Sequence, residues 1–154
     1  MTMNVELTWK EMMLGAQTGV MRQVENIRGK YRKPSMNVGH DRDWQIHVEG
    51  ALAELAAAKG LGLFPAGGEF RSADLGSGIE VRSSQREVTW MYMKETDVDD
   101  HIFVRVTGIN GDYKIHGWIT GREGKEFPLQ DKYGRGFQSR WVPYDALHPL
   151  PLPE

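Results

Sequence analysis

Cysteine is missing altogether from the 154 residues, which excludes a disulfide framework, a thiolate zinc site and a cysteine nucleophile. Also lacking is any apolar run of the roughly 18 to 20 residues that a membrane-spanning helix needs, and the start of the chain has no basic stretch followed by an apolar block. Excess charge of one sign is absent too. The 19 basic and 21 acidic side chains leave a formal net charge of -2, which fits neither a histone-like basic protein nor an acidic disordered tail, so any nucleic-acid surface must be a local patch. No internal repeat or low-complexity tract interrupts the chain. What is present suits one ordinary domain: 40% hydrophobic residues, enough to bury a core, and eight methionines. With eight methionines and no signal-like start, the expected protein is soluble and intracellular, with no membrane contact.

Two helices are expected first. Thr8-Trp9-Lys10-Glu11 has the Thr-x-x-Glu form of a capping box, and Met12, Met13, Ala16, Val20, Met21, Val24 and Ile27 follow at helical spacing, so the pattern predicts a helix over residues 8–28. Residues 28–33 then hold four basic side chains in six positions. Together with Arg22 they suit either phosphate contact or a solvated helix end. A second helix is predicted from Asp41 or Asp43, either of which can cap it, to Gly60, and its alanine-rich middle suits close packing on a sheet. Glu49 and Glu54 lie roughly 140 degrees apart on it, so both cannot serve one site. Glu54 shares its face with His47 across Gly50 and Ala51, and is the one selected.

Beyond Gly67 the period becomes alternating. The segments 69–75 and 79–83 flank Gly76-Ser77-Gly78, which reads as a tight hairpin pairing Leu75 with Ile79 and Asp74 with Glu80. Directly opposed carboxylates would be thrust together, with Arg82 on the same face. Later strands are expected at 89–93, 101–107 and 113–119. The acidic run Glu95-Thr96-Asp97-Val98-Asp99-Asp100 lacks the glycine and distal glutamate of an EF-hand and reads as a solvated turn. Residues 121–154 form a Gly/Pro-rich extension, expected to be mobile, whose tail after His148 packs along the surface or frays. Trp44, Trp90 and Trp118 sit in apolar patterns and are expected in the core, while His116 faces either a DNA groove or solvent.

The order Glu54, Asp74, Glu80-Val81-Arg82 resembles the core of the PD-(D/E)xK nuclease superfamily, and Gly50-Ala51-Leu52-Ala53-Glu54 is similar to the glycine-to-glutamate helix segment that precedes the aspartate in those enzymes. The whole chain also resembles small phage-encoded proteins of that kind. The resemblance implies an α/β fold with N-terminal helices followed by a mixed sheet around a restriction-endonuclease-like core. It implies a single domain over 1–154, with a helix and basic connector at 1–40, the nuclease-like core at 41–120 and the extension at 121–154. It further implies Mg2+ or Mn2+ held by Asp74 and Glu80 with help from Glu54, a DNA substrate, and the bacterial or infected-cell cytoplasm as the compartment.

Two departures from the family pattern stand out. Arginine at 82 replaces the lysine that positions the attacking water, and being always protonated it can stabilise phosphate charge but cannot act as a base. Ala73 replaces the proline before the aspartate. Arg71, Arg86 and His47 are candidate nucleic-acid contacts beside Arg82, and a homodimer would suit cutting of both strands. The chain has no Gly-x-Ser-x-Gly elbow and no Lys-Ser/Thr phosphate loop, so a serine hydrolase and a P-loop nucleotidase are set aside. The alternative reading is a non-catalytic protein on a degenerate nuclease scaffold that binds nucleic acid or a host protein.

Overall fold

In the computed structural model, residues 2–28, 42–63, 74–76 and 78–154 are described. Thr8 opens α1 (Trp9–Ile27) as its capping box predicts: the Thr8 hydroxyl accepts from the Glu11 N–H at 3.2 Å, and the Glu11 carboxylate accepts from the Thr8 N–H at 3.0 Å. The buried side of α1 is not the apolar one. Gly15, Gly19 and Gln23 are its buried residues, because α1 meets α2 (Asp43–Leu61) almost backbone to backbone. A Cβ added at Gly19 would lie 2.4 Å from the Val48 Cα. The close approach leaves Trp9, Met13, Leu14, Met21 and Ile27 each more than half exposed.

Arg42 rather than an aspartate is the N-cap of α2, and no side chain caps it. Asp43 instead lies in the first turn, where its charge suits the positive end of the helix; Asp41 falls outside the described residues. Gly62, at φ +67°, ends the helix in the left-handed conformation glycine tolerates best. The alanine run behaves as its size predicts: Ala53, Ala56, Ala57 and Ala58 are buried in the main core.

A strand that no periodicity announced, β1 (Met3–Glu6), precedes both helices. It forms the edge of a four-stranded mixed sheet in the order β1-β5-β4-β2, with β2 (Ile79–Ser84), β4 (Ile102–Ile109) and β5 (Asp112–Thr120). β1 and β4 run antiparallel to β5, while β2 runs parallel to β4 with Ile79 beside Ile102. One face of this sheet packs on α2 through Ile79, Val81, Val104, Val106 and Ile115.

The chain leaves β2 to form β3 (Trp90–Met93) in a second sheet, ordered β3-β7-β6, with β7 (Ser139–Pro143) and β6 (Leu129–Gln130). A smaller core of Met91, Met93, Phe103, Ile119 and Val142 lies between the two sheets. The C-terminal extension therefore contributes structure: a short helix α3 (Gly121–Gly124), two strands and a 3-10 turn at Tyr144–Ala146. Its tail packs down as expected. Leu150 and Leu152 reach the main core, and the Trp118 indole N–H donates to the Pro149 and Pro151 carbonyls.

Two of the three tryptophans expected in the core are elsewhere. Trp44 is 45% exposed, and Trp90 faces outward from the second sheet, since its neighbour Met91 is the residue that points in. Among the described residues no helix is long and apolar enough to cross a membrane.

Candidate functional site

β2 positions the strand residues of the site. Ile79 and Val81 point into the main core, so Glu80 and Arg82 project from the opposite face. There the Glu80 Oε1 lies 3.1 Å from the His101 Nδ1. The Arg82 guanidinium sits 4.8 Å from the Phe103 ring centre and 5.4 Å from that of Tyr92, and donates to Asp97 Oδ1 at 2.5 Å. Asp97, expected as part of a solvated turn, is thus the counter-ion of Arg82, and it also accepts from the Lys94 N–H.

Asp74 occupies a turn. The Leu75 N–H donates to the Ile79 carbonyl and the Ile79 N–H to the Gly76 carbonyl, both at 3.0 Å, so the chain reverses where the glycines predicted it would. The ladder expected to carry Asp74 directly opposite Glu80 is not formed at Asp74. Its Oδ2 accepts from the Val81 N–H at 2.7 Å instead. β2 is the outer strand of its sheet, and an outward N–H at such an edge needs a partner.

The helix residue reaches the same region from the α2 side. Glu54 receives both guanidinium nitrogens of Arg22, at 2.8 and 2.6 Å, in a pair whose side chains are only 13% and 14% exposed. Burial pushes the Glu54 carboxyl up from its ordinary range, against the pull of Arg22. The Asp74 carboxyl is pushed up to about 7 by burial first, then by the charges of Glu54 and Glu80. Three acids from a helix, a turn and a strand therefore share one electrostatic neighbourhood, although two of them are not stacked on one face.

The remaining predicted contacts are scattered. His47 has its imidazole pulled below the ordinary value by burial and by Arg22. Next to it, Gly50 faces open space: a Cβ added there meets nothing within 4 Å. Arg86 is exposed two residues beyond β2, its carbonyl accepting from the Ser84 hydroxyl. Arg71, and the basic run apart from Arg28, fall outside the described residues. His116 faces neither groove nor solvent. It is 9% exposed, its Nε2 lies 2.6 Å from the Thr107 hydroxyl, and its ring lies 4.5 Å from that of Tyr144.

A cavity of about 300 Å3 is lined by Glu49, Gly50, Ala53, Arg82, Ser84 and Tyr92; among the described residues Arg82 is the one candidate side chain in it, and Glu54, Asp74 and Glu80 do not line it. The oxygens of Glu54, Asp74 and Glu80 are hard donors, the kind that suit Mg2+ or Mn2+. Arg22 engages both oxygens of Glu54, and among the described residues no three acid or imidazole side chains gather as a ligand set. Burial is the larger cause of the Asp74 shift, and the charges of Glu54 and Glu80 are the part that a bound cation would relieve.

Sequence reasoning missed Arg22, Asp97 and His101 as partners of these groups. Only the small residues Gly15 and Gly19 hinted that α1 and α2 approach closely enough for Arg22 to meet Glu54. Comparison of the chain with protein-family models, curated proteins and solved structures finds no match.

Proposed function

We propose that the chain is a metal-dependent DNA nuclease with a restriction-endonuclease-like core. The observation that supports this reading best is the approach of Glu54, Asp74 and Glu80 from three separate elements, with Asp74 anchored on the Val81 N–H between Glu80 and Arg82. In this reading Asp74 and Glu80 hold a divalent ion and Glu54 assists through water, kept in orientation by Arg22. The ion supplies a water of lowered pKa and a counter-charge for the phosphoryl oxygens. Arg82 is positively charged at any working pH and acts on phosphate charge, not as the base. A phage origin, and work in the cytoplasm of the infected cell, belong to the same proposal and rest on the resemblance.

One observation favours a second reading, a non-catalytic binding protein on this scaffold. Arg82 is already paired with Asp97 and enclosed by two rings. Plasmid nicking with Mg2+ or Mn2+ separates the two readings. The nuclease nicks as wild type and loses the activity in Asp74→Ala and in Glu80→Ala. Equal nicking by all three proteins, or none by the wild type, leaves the binding role. Cutting of both strands would pair two copies, and a sedimenting monomer that linearises plasmid in one encounter would rule that pairing out.

A further inference from the structure

The second sheet turns a set of aromatic rings outward. Met91, Met93 and Val142 are fully buried, so by strand alternation Trp90, Tyr92 and Trp141 face the other way. The strand register sets Tyr92 beside Trp141, and the ring centres of Trp90 and of Tyr92 each lie 6.3 Å from that of Trp141. The loop between β6 and β7 adds Tyr133, edge-on to Trp141 at 5.6 Å and 58% exposed.

Cations are interleaved with these rings. The Lys132 ammonium stands 3.6 Å from the Trp90 ring centre and 5.4 Å from that of Trp141, and the Arg135 guanidinium 5.7 Å from that of Tyr133. Neither Lys132 nor Arg135 has a carboxylate partner among the described residues. The acid of the same loop, Asp131, is turned onto the backbone N–H groups of Arg135 and Gly136 at 2.9 and 2.7 Å. The patch is therefore aromatic and positively charged inside a protein of net charge -2. Tyr92 belongs both to this face and to the cavity lined by Arg82 and Ser84, so the patch extends as far as Arg82.

We propose that this face binds single-stranded DNA, with bases stacking on Trp141 and Tyr133 and phosphates meeting Lys132 and Arg135. Aromatic faces accept any unpaired base, and nearby cations track the backbone, which is the combination single-strand binders use. A duplex keeps its base faces stacked on each other and offers them nothing. The role of the surface in delivering a strand to the acids rests on the nuclease reading; the binding itself does not.

Fluorescence anisotropy of a fluorescein-labelled oligothymidine of about 15 nucleotides, titrated with the full chain in EDTA, tests the surface. The expected result is saturable binding that falls with rising salt, weakens about 10-fold in Lys132→Glu and about 5-fold in Tyr133→Ala, and quenches tryptophan emission. Both substitutions are in an exposed loop and leave the strands intact. Unchanged affinity in both variants, or tighter binding of a duplex of the same length, overturns the proposal. So does the absence of any anisotropy change, the result a protein-docking face would give. Because the binding test excludes metal, a protein that binds in this way yet fails to nick plasmid with Mg2+ or Mn2+ refutes the nuclease reading and leaves this one standing.

Discussion

Asp74 ties the electrostatics of the site to the stability of the fold. In the folded chain burial and the charges of Glu54 and Glu80 raise its carboxyl from 3.8 to about 7. A carboxyl raised by folding makes the folded state the better proton binder, so its contribution is fully present below about pH 4 and is lost as pH rises through about 7. Asp74→Asn removes the charge and keeps a carbonyl for the Val81 N–H. In metal-free buffer the variant should melt several degrees above wild type at pH 8 and close to it at pH 4, taking about 2–4 °C per kcal/mol for a chain of this size. Thermal unfolding followed by circular dichroism reads the difference, and an offset that does not change with pH contradicts the account.

The Arg22–Glu54 pair makes a second claim at this scale. Arg22→Gln leaves a buried carboxylate unpaired and is expected to cost about 3 kcal/mol in urea unfolding, the low end for such pairs because Glu54 can take up a proton. The double variant Arg22→Met with Glu54→Met should recover most of that. The three acids were legible as candidates from their order along the chain. Arg22 as a clamp was not, because its meeting with Glu54 depends on how two helices cross, which spacing along one helix does not reveal.

Among the elements, the crossing of α1 and α2 depends on one residue more than on any apolar stripe. Gly19→Ala drives a methyl into the α2 backbone at Val48 and should cost about 1–3 kcal/mol or more, since backbone cannot give way as a side chain does. Gly50→Ala, in the same helix pair but facing open space, should stabilise by up to about 1 kcal/mol through helix propensity. Chemical denaturation of the two variants side by side measures both, and similar shifts for the pair would mean the helices do not cross as described. The capping box at Thr8 and Glu11 and the extent of α2 were readable because caps and helical periodicity are local signals. β1 was not, being four residues that form a strand only by pairing with Met3 beside Ile115. The reversal at Gly76 and Gly78 was readable for the same local reason, yet the partner that β2 takes, β4 in parallel, is distant in sequence and left no trace in the alternation.

Across the whole molecule, the alternation of helix and strand patterns foretold a mixed α/β chain but not its division into two sheets. Strands β3 and β7 meet across a long separation, and only their pairing turns Trp90 and Trp141 outward; the same apolar pattern in a single sheet would have buried them. Near-neutral net charge likewise concealed a molecule in which the charges of Glu54 and Glu80 act on Asp74 and cations lie over the rings of the second sheet. The central claim is that the acid cluster accepts a divalent cation. Titration of the full chain with Mn2+ at pH 8, following free ion by electron paramagnetic resonance, tests this most directly. The account predicts a saturable site in the wild type that is lost in Asp74→Asn and in Glu80→Gln, whereas equal Mn2+ uptake by all three proteins, or none by the wild type, would contradict it.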